Sequence, residues 1–220
     1  MPLKPDDIAS LERATLKAVP PSTIKAWRDW LLPMDQGTVG RARSAVPLRH
    51  DRPEPADIAK IDRLYTQAGL EPWFRVPDMP EWKEVHQALD DRGFVRTKPT
   101  HVMTPLASLL SVPAMAACDL ATEPDEAWMA AYLGDGGDTA DDAHRARLMR
   151  QARGCLYASV RMVDEVQAVG VATLNEGWLG IHGMRTASRA RRRGLASGIL
   201  RAMALMALER GASIIRVHDV

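Results

Sequence analysis

The sequence predicts a mixed α/β fold, of the α+β kind with a mixed sheet. Three observations predict it. Leu156–Met162, Ala168–Leu174 and Trp178–Thr186 are extended runs separated only by short turn segments, Asp164-Glu165 and Asn175-Glu176-Gly177. Turns that short join antiparallel neighbours, so the three runs form a meander. Leu195, Ile199, Leu200, Met203, Met206 and Ala207 then recur at helical spacing, and Ile214-Ile215-Arg216-Val217 follow as a strand. Strand, loop, helix and strand in that order make a parallel pair with a right-handed crossover.

The earlier elements follow in chain order. Ile8, Leu11 and Leu16 mark a helix that ends before Pro20-Pro21. Trp27–Leu32 and Thr38–Val46 flank Asp35-Gln36-Gly37 and read as a hairpin. Arg52-Pro53-Glu54-Pro55 leads into a helix with Ile58, Ile61, Leu64 and Tyr65, closed by Gly69. Trp73–Val76 reads as a short strand, and Glu81–Asp91 as a helix closed by Gly93. Phe94–Arg96 and His101–Met103 read as a strand pair. Charge disappears from Leu106 to Ala117, which places a domain boundary there: residues 1–110 and 111–220. Helices are expected at Trp128–Leu133 and Asp141–Gln151, with Gly211 stopping the helix that opens at Leu195.

Composition narrows the function classes. The chain has 220 residues, 46% of them hydrophobic, enough for a packed core. Lys+Arg 29 against Asp+Glu 28 leaves a formal charge of +1, which gives no global pull toward nucleic acid or membrane. Cys118 and Cys155 have no His or Cys at ligand spacing and read as buried free thiols of a reducing compartment. Gly134-Asp135-Gly136-Gly137-Asp138 lacks the alternating ligands of a calcium loop, so no metal is expected. The N-terminus has no apolar core of a signal peptide, and no apolar run approaches the roughly 20 residues of a membrane span. A soluble, cytoplasmic protein is expected. The tryptophans 27, 30, 73, 82, 128 and 178 are expected in packing, as are Met203 and Met206.

The chemistry-bearing unit is the segment between the third meander strand and the helix, Arg191-Arg192-Arg193-Gly194-Leu195-Ala196-Ser197. The first turn of a helix leaves backbone N–H groups without acceptors at its positive dipole end. A pyrophosphate can take those hydrogen bonds. Gly194, Ala196 and Ser197 are small enough for close approach, and the arginines are forked donors for phosphate oxygens.

On these residues the sequence resembles the GNAT family of N-acetyltransferases. Its acetyl-CoA motif, Gln/Arg-x-x-Gly-x-Gly/Ala, is matched by Arg191–Ala196. The resemblance covers about residues 154–217 and implies the GNAT acyl-CoA N-acyltransferase fold. It also implies acetyl-CoA as co-substrate and an amine acceptor, either a small molecule or a peptide or protein amine. Trp178–Thr186 resembles the family's fourth strand. Met184, Arg185 and Thr186 would then line the pantetheine arm, and Arg191 to Ser197 the phosphates. Residues 1–110 resemble a degenerate copy of the same domain, with Leu89–Phe94 like its penultimate helix. No phosphate loop lies between Val46 and Ile58, so two tandem copies with one cofactor site are expected.

Direct acetyl transfer needs a polarised carbonyl and a proton acceptor. The resemblance puts the carbonyl on the Met184 N–H. His182, two residues earlier, shares a strand face with Met184 if no bulge intervenes, and is the leading base. Glu176, in the turn before the strand, is the second candidate, and His218 and Asp219 are further ones. Family members continue past Ile214–Val217 with a helix often carrying a Tyr that protonates the thiolate. Here the sequence stops at Val220 with no Tyr beyond Tyr157, so the chain is expected to lack the C-terminal helix and strands. A non-catalytic acetyl-CoA-binding or regulatory module is therefore the alternative. A nucleic-acid binder would need more net positive charge and aromatics around the arginines. A homodimer is compatible with the sequence.

Overall fold

The computed structural model describes residues 4–99, 117–134, 139–163, 165–210 and 214–217. The chain divides into two compact units, Met1–Pro99 and Thr100–Val220. The boundary expected after residue 110 lies outside the described residues, as do His101–Met103, Gly211, His218 and Asp219.

Unit 1 opens with α1 (Pro5–Ala18), where the Asp7 carboxylate accepts the Lys4 backbone N–H at 2.9 Å. Strands β1 (Thr23–Trp27) and β2 (Trp30–Met34) pair antiparallel, with Trp27 opposite Trp30. The hairpin turn is thus Arg28-Asp29 and not Asp35–Gly37. The reason is the buried Asp35 carboxylate, which accepts the Ser22 backbone N–H at 2.9 Å and hydroxyl at 2.8 Å. That ties the end of β2 back toward the start of β1. Thr38–Val46 is also not one strand. Gly40–Arg43 turns into a helix, α2, and Ser44–Pro47 forms β3, antiparallel to β2.

Helix α3 (Ala56–Gln67) ends as expected. Gly69 has φ 70°, and the Gly69 and Leu70 N–H groups bond back to Thr66 and Tyr65 at 3.0 Å each. Strand β4 (Trp73–Phe74) pairs parallel with β3, giving the sheet order β1-β2-β3-β4. Helix α4 (Lys83–Asp90) follows, and Trp82 just before it is fully buried among Trp30, Ile58, Ile61 and Val85. Phe94–Arg96 is not a strand. The Phe94 ring instead meets Phe74 edge-on at 5.1 Å, so burial fixes the segment without a ladder.

Unit 2 has a five-stranded sheet of order β5-β6-β7-β8-β9. Its parts are β5 (Asp119–Ala121), α5 (Glu126–Leu133), α6 (Thr139–Gln151), β6 (Cys155–Met162), β7 (Glu165–Asn175), β8 (Trp178–Thr186), α7 (Leu195–Glu209) and β9 (Ile214–Val217). The meander and the parallel crossover are as expected. Glu176 and Gly177 have φ 55° and 78°, the two positive angles of a two-residue hairpin loop. The edge strand β5 escaped the sequence pattern because three residues carry no measurable alternation.

One sheet face packs on α7 through Leu195, Ile199, Met203, Ala204 and Ala207. The other receives α5. There Trp128 is buried, donates from Nε1 to the Ala158 carbonyl at 2.8 Å, and meets Tyr157 edge-on at 5.1 Å. Trp30, Trp82, Trp128 and Trp178 are buried, whereas Trp27 and Trp73 are half-buried. Both cysteines are free; Cys155 is buried as expected, whereas Cys118, just before the edge strand β5, is only half-buried, and burial pushes each thiol up to about 11. No helix among the described residues is long and apolar enough to cross a membrane.

Candidate active site

Two irregularities in unit 2 build the site. The first lies within β8. Val169 stands opposite Arg185 and Val171 opposite His182, so one residue of β7, Gly170, faces two of β8, Gly183 and Met184. That is a β-bulge in β8, which breaks the regular alternation of N–H, C=O and side chains. Glycine is required on both sides of it. A Cβ on Gly170 would collide with the Met184 sulfur and press on Ile199 and Met203. Gly183 has φ 61°, and a Cβ there would lie 3.3 Å from the Tyr132 ring. Among the described residues, β8 pairs with β9 over Trp178–Ile181, just before the bulge.

The second irregularity is the segment after β8. Ser188–Ala190 forms one 3-10 turn, Arg192 takes φ 59° and Gly194 takes φ 76°. The first bond of α7 runs from the Gly198 N–H to the Gly194 carbonyl at 3.0 Å. The N–H groups of Leu195, Ala196 and Ser197 precede it and have no acceptor within the helix. No carboxylate occupies this first turn. The arginines surround it in different settings. Arg189 pairs with Glu165, Arg191 Nε donates to the Thr186 carbonyl at 3.4 Å, and Arg193 lies on the Met162 sulfur at 3.6 Å. The structure thus joins an exposed cationic loop, a helix N-terminus of small residues and a bulged strand edge.

Against this geometry the sequence matches the family described as "Probable histone acetyltransferase Rv0428c C-terminal" over residues 6–218. The chain belongs to this family of GNAT N-acetyltransferases. Similar solved structures include a GCN5-related N-acetyltransferase from Kribbella flavida, 17% identical, with TM-score 0.68 over 96% of this chain and 85% of that one. A functionally unknown conserved protein from Staphylococcus epidermidis is 9% identical, with TM-score 0.60 over 95% and 88%. A tandem GNAT protein from the clavulanic acid biosynthesis pathway is 12% identical, with TM-score 0.52 over 100% and 89%. No curated protein matches the sequence.

The structure sorts the expected site residues. Met184, Thr186 and Arg191 to Ser197 fall on one continuous path from bulge to helix. Arg185 is on that path by backbone only. Its guanidinium turns away to cap α5, donating to the carbonyls of Tyr132 at 2.8 Å and Leu133 at 2.6 Å. His182 does not share the Met184 face, because the bulge intervenes. The Met184 sulfur lies toward Ile199 and Met203 of α7, whereas His182 pairs with Val171 on the α5 side. His182 is also buried, 3% exposed. Glu176 lies at the opposite end of β8. At about 3.3 Å per residue, the eight residue steps between them hold it roughly 25 Å from Met184, beyond the reach of a base acting there. The sequence pattern missed Gly170 and Gly183. A glycine inside a strand run flags a bulge or a close approach, so the two glycines had a usable signal.

Proposed function

We propose that the chain transfers an acetyl group from acetyl-CoA to an amine by direct attack. The observation that carries this is the bulged β8 leading into a small-residue helix N-terminus ringed by arginines. The pyrophosphate fits the N–H groups of Leu195, Ala196 and Ser197, with the positive end of α7 behind them. Arg191, Arg192 and Arg193 supply forked donors to the remaining oxygens. The pantetheine arm runs along the strand edge from Thr186 to Met184. There the bulge frees a backbone N–H to hold the thioester carbonyl as negative charge develops. His182 serves as proton acceptor through an intervening water, since its buried ring does not reach the amine directly. Acetyl-CoA arrives as co-substrate, and no resident metal takes part. The acceptor is a small-molecule amine or a peptide or protein amine.

The test is calorimetry with acetyl-CoA, followed by thiol release against a panel of amines. Binding with turnover supports the reading. Binding without turnover on any amine identifies the non-catalytic module instead. No binding defeats both. In His182→Ala, an unchanged pH–rate profile would remove that residue from the base role.

A further inference from the structure

The acceptor has to meet the thioester from one side of the sheet. At the bulge, the side that packs on α7 is filled by the Met184 sulfur, Ile199 and Met203. The amine therefore arrives from the α5 side, where His182 lies. Tyr132 of α5 borders the bulge there, since a Cβ on Gly183 would stand 3.3 Å from its ring. That ring is buried and stacks on Trp128 with centroids 5.3 Å apart, which makes it a fixed wall.

Two guanidiniums gather on this wall. Arg145, reaching from α6, lies over the Tyr132 ring with its Cζ 5.1 Å from the centroid. Arg185, one residue past the bulge, donates to the Tyr132 and Leu133 carbonyls at 2.8 and 2.6 Å. Among the described residues no carboxylate pairs with either, whereas Arg161 and Arg189 of the same unit are matched by Asp125 and Glu165. The acids on the helix of Arg145 are Asp141 and Asp142, in its first turn, where the positive helix end favours them.

The two arginines are placed for different work. Arg185 spends donors on the carbonyls that end α5, so it holds that helix against β8. Arg145 is half-buried and donates to none of the described residues. Its contact with the ring engages its charge but none of its N–H groups. It keeps a planar fork of donors that matches two anionic oxygens.

We propose that the acceptor is a small amine carrying an anionic group, a carboxylate or a phosphate, which Arg145 holds and the Arg185 charge helps to draw in. This rests on the acetyl-transfer reading above and narrows it. The anion fixes one end of the acceptor, and the amine reaches past the edge of the Tyr132 ring to the thioester. A lysine in a cationic peptide would instead bring more positive charge against two guanidiniums without a counter-ion, and like-charge repulsion disfavours it.

The test measures kcat/KM for acetyl transfer by the full chain to amines matched except for the anion. The pairs are β-alanine against propylamine, alanine against ethylamine, and O-phosphoethanolamine against ethanolamine, with a lysine-rich peptide as the cationic arm. In at least one pair the anionic member should be preferred at least about tenfold, through KM. The carboxylate and phosphate pairs tell the two anions apart. Arg145→Gln should abolish the preference, and Arg145→Glu should reverse it. Arg145→Lys, which keeps the charge without the fork, should retain part of it. If the neutral members or the peptide are the better acceptors, or if the preference survives in Arg145→Gln and Arg145→Glu, the proposal is overturned. If acetyl-CoA binds and no amine is turned over, the acetyl-transfer reading fails first and this assignment falls with it.

Discussion

The two units contain the same crossover and use it differently. In unit 1 it is β3, α3 and β4; in unit 2 it is β8, α7 and β9, and both strand pairs are parallel. In unit 2 the helix opens after Gly194 with three small or apolar residues and no carboxylate. In unit 1 the helix opens after Pro55, and its first turn carries Asp57. That carboxylate is buried, accepts the Trp27 indole N–H at 2.9 Å and pairs with Arg28 at 3.1 Å. The positive end of α3 is thus met by an anion of the chain itself. The preceding segment is neutralised as well, since Arg49 makes two bonds to Asp51 at 3.1 and 2.8 Å. The lesson is that the topology presents a helix N-terminus, and the local side chains decide whether it is left for a ligand.

The sharpest way to break this contrast is to give unit 2 the anion that unit 1 has. Gly194→Glu places a carboxylate at the mouth of α7 and a Cβ where φ is 76°. CoA affinity should fall at least about 100-fold, a loss of roughly 2.7 kcal/mol. Calorimetry reads it directly, and unchanged affinity would remove the site from α7. The wild-type chain should bind one CoA per chain, because α3 is already occupied.

The converse change is Asp57→Ala. It leaves the half-buried Trp27 N–H and the exposed Arg28 guanidinium without their acceptor, which costs about 1 kcal/mol. Urea unfolding measures this. CoA stoichiometry should stay at one, since Pro55 and the Arg49–Asp51 pair remain. A second binding event in this variant would show that Asp57 alone separates the two units.

A comparable effect is expected at Asp125, which caps α5 in unit 2. Its side chain accepts the Trp128 backbone N–H at 2.7 Å and pairs with Arg161 at 2.6 Å. The Trp128 N–H and the Arg161 guanidinium hold its carboxyl below the usual carboxylate range. Its stabilisation is therefore present above the ordinary aspartate value and is lost as pH falls through its own lower one. Asp125→Ala should cost about 1 kcal/mol by thermal denaturation at pH 7.

Much of unit 2 was legible because its signals are local. The meander strands, the positive-φ hairpin loop and the motif Arg191–Ala196 each declare themselves within a few residues. Unit 1 was harder to read. Asp35 looks like the first residue of a hairpin turn, but its partner Ser22 lies thirteen positions away. The candidate site runs along one line of sequence, from Met184 to Ser197, and what crosses that line was not legible. The bulge moved His182 off the face that simple alternation gives it. The Arg185 guanidinium turns to the carbonyls of α5.

The smallest prediction concerns His50, which lies in unit 1 where unit 2 has its arginine loop. Its ring meets Trp82 edge-on at 6.0 Å, and its carbonyl accepts the Trp82 indole N–H at 2.9 Å. Burial pushes the imidazole below its ordinary value, and Glu12 and Asp51 only partly oppose this. The folded chain therefore binds a proton at this site at lower pH than the unfolded chain does. Between the two values the unfolded state holds more protons, so stability rises with pH and is fully present above about 6.5. The slope from this residue cannot exceed about 1.4 kcal/mol per pH unit. His50→Gln should flatten the dependence below pH 6.5, and an imidazole NMR titration should give a midpoint under that value. A midpoint above it would mean that unit 1 carries a protonated His50 in its crossover loop. The electrostatic contrast with the arginines of unit 2 would then be weaker by one charge.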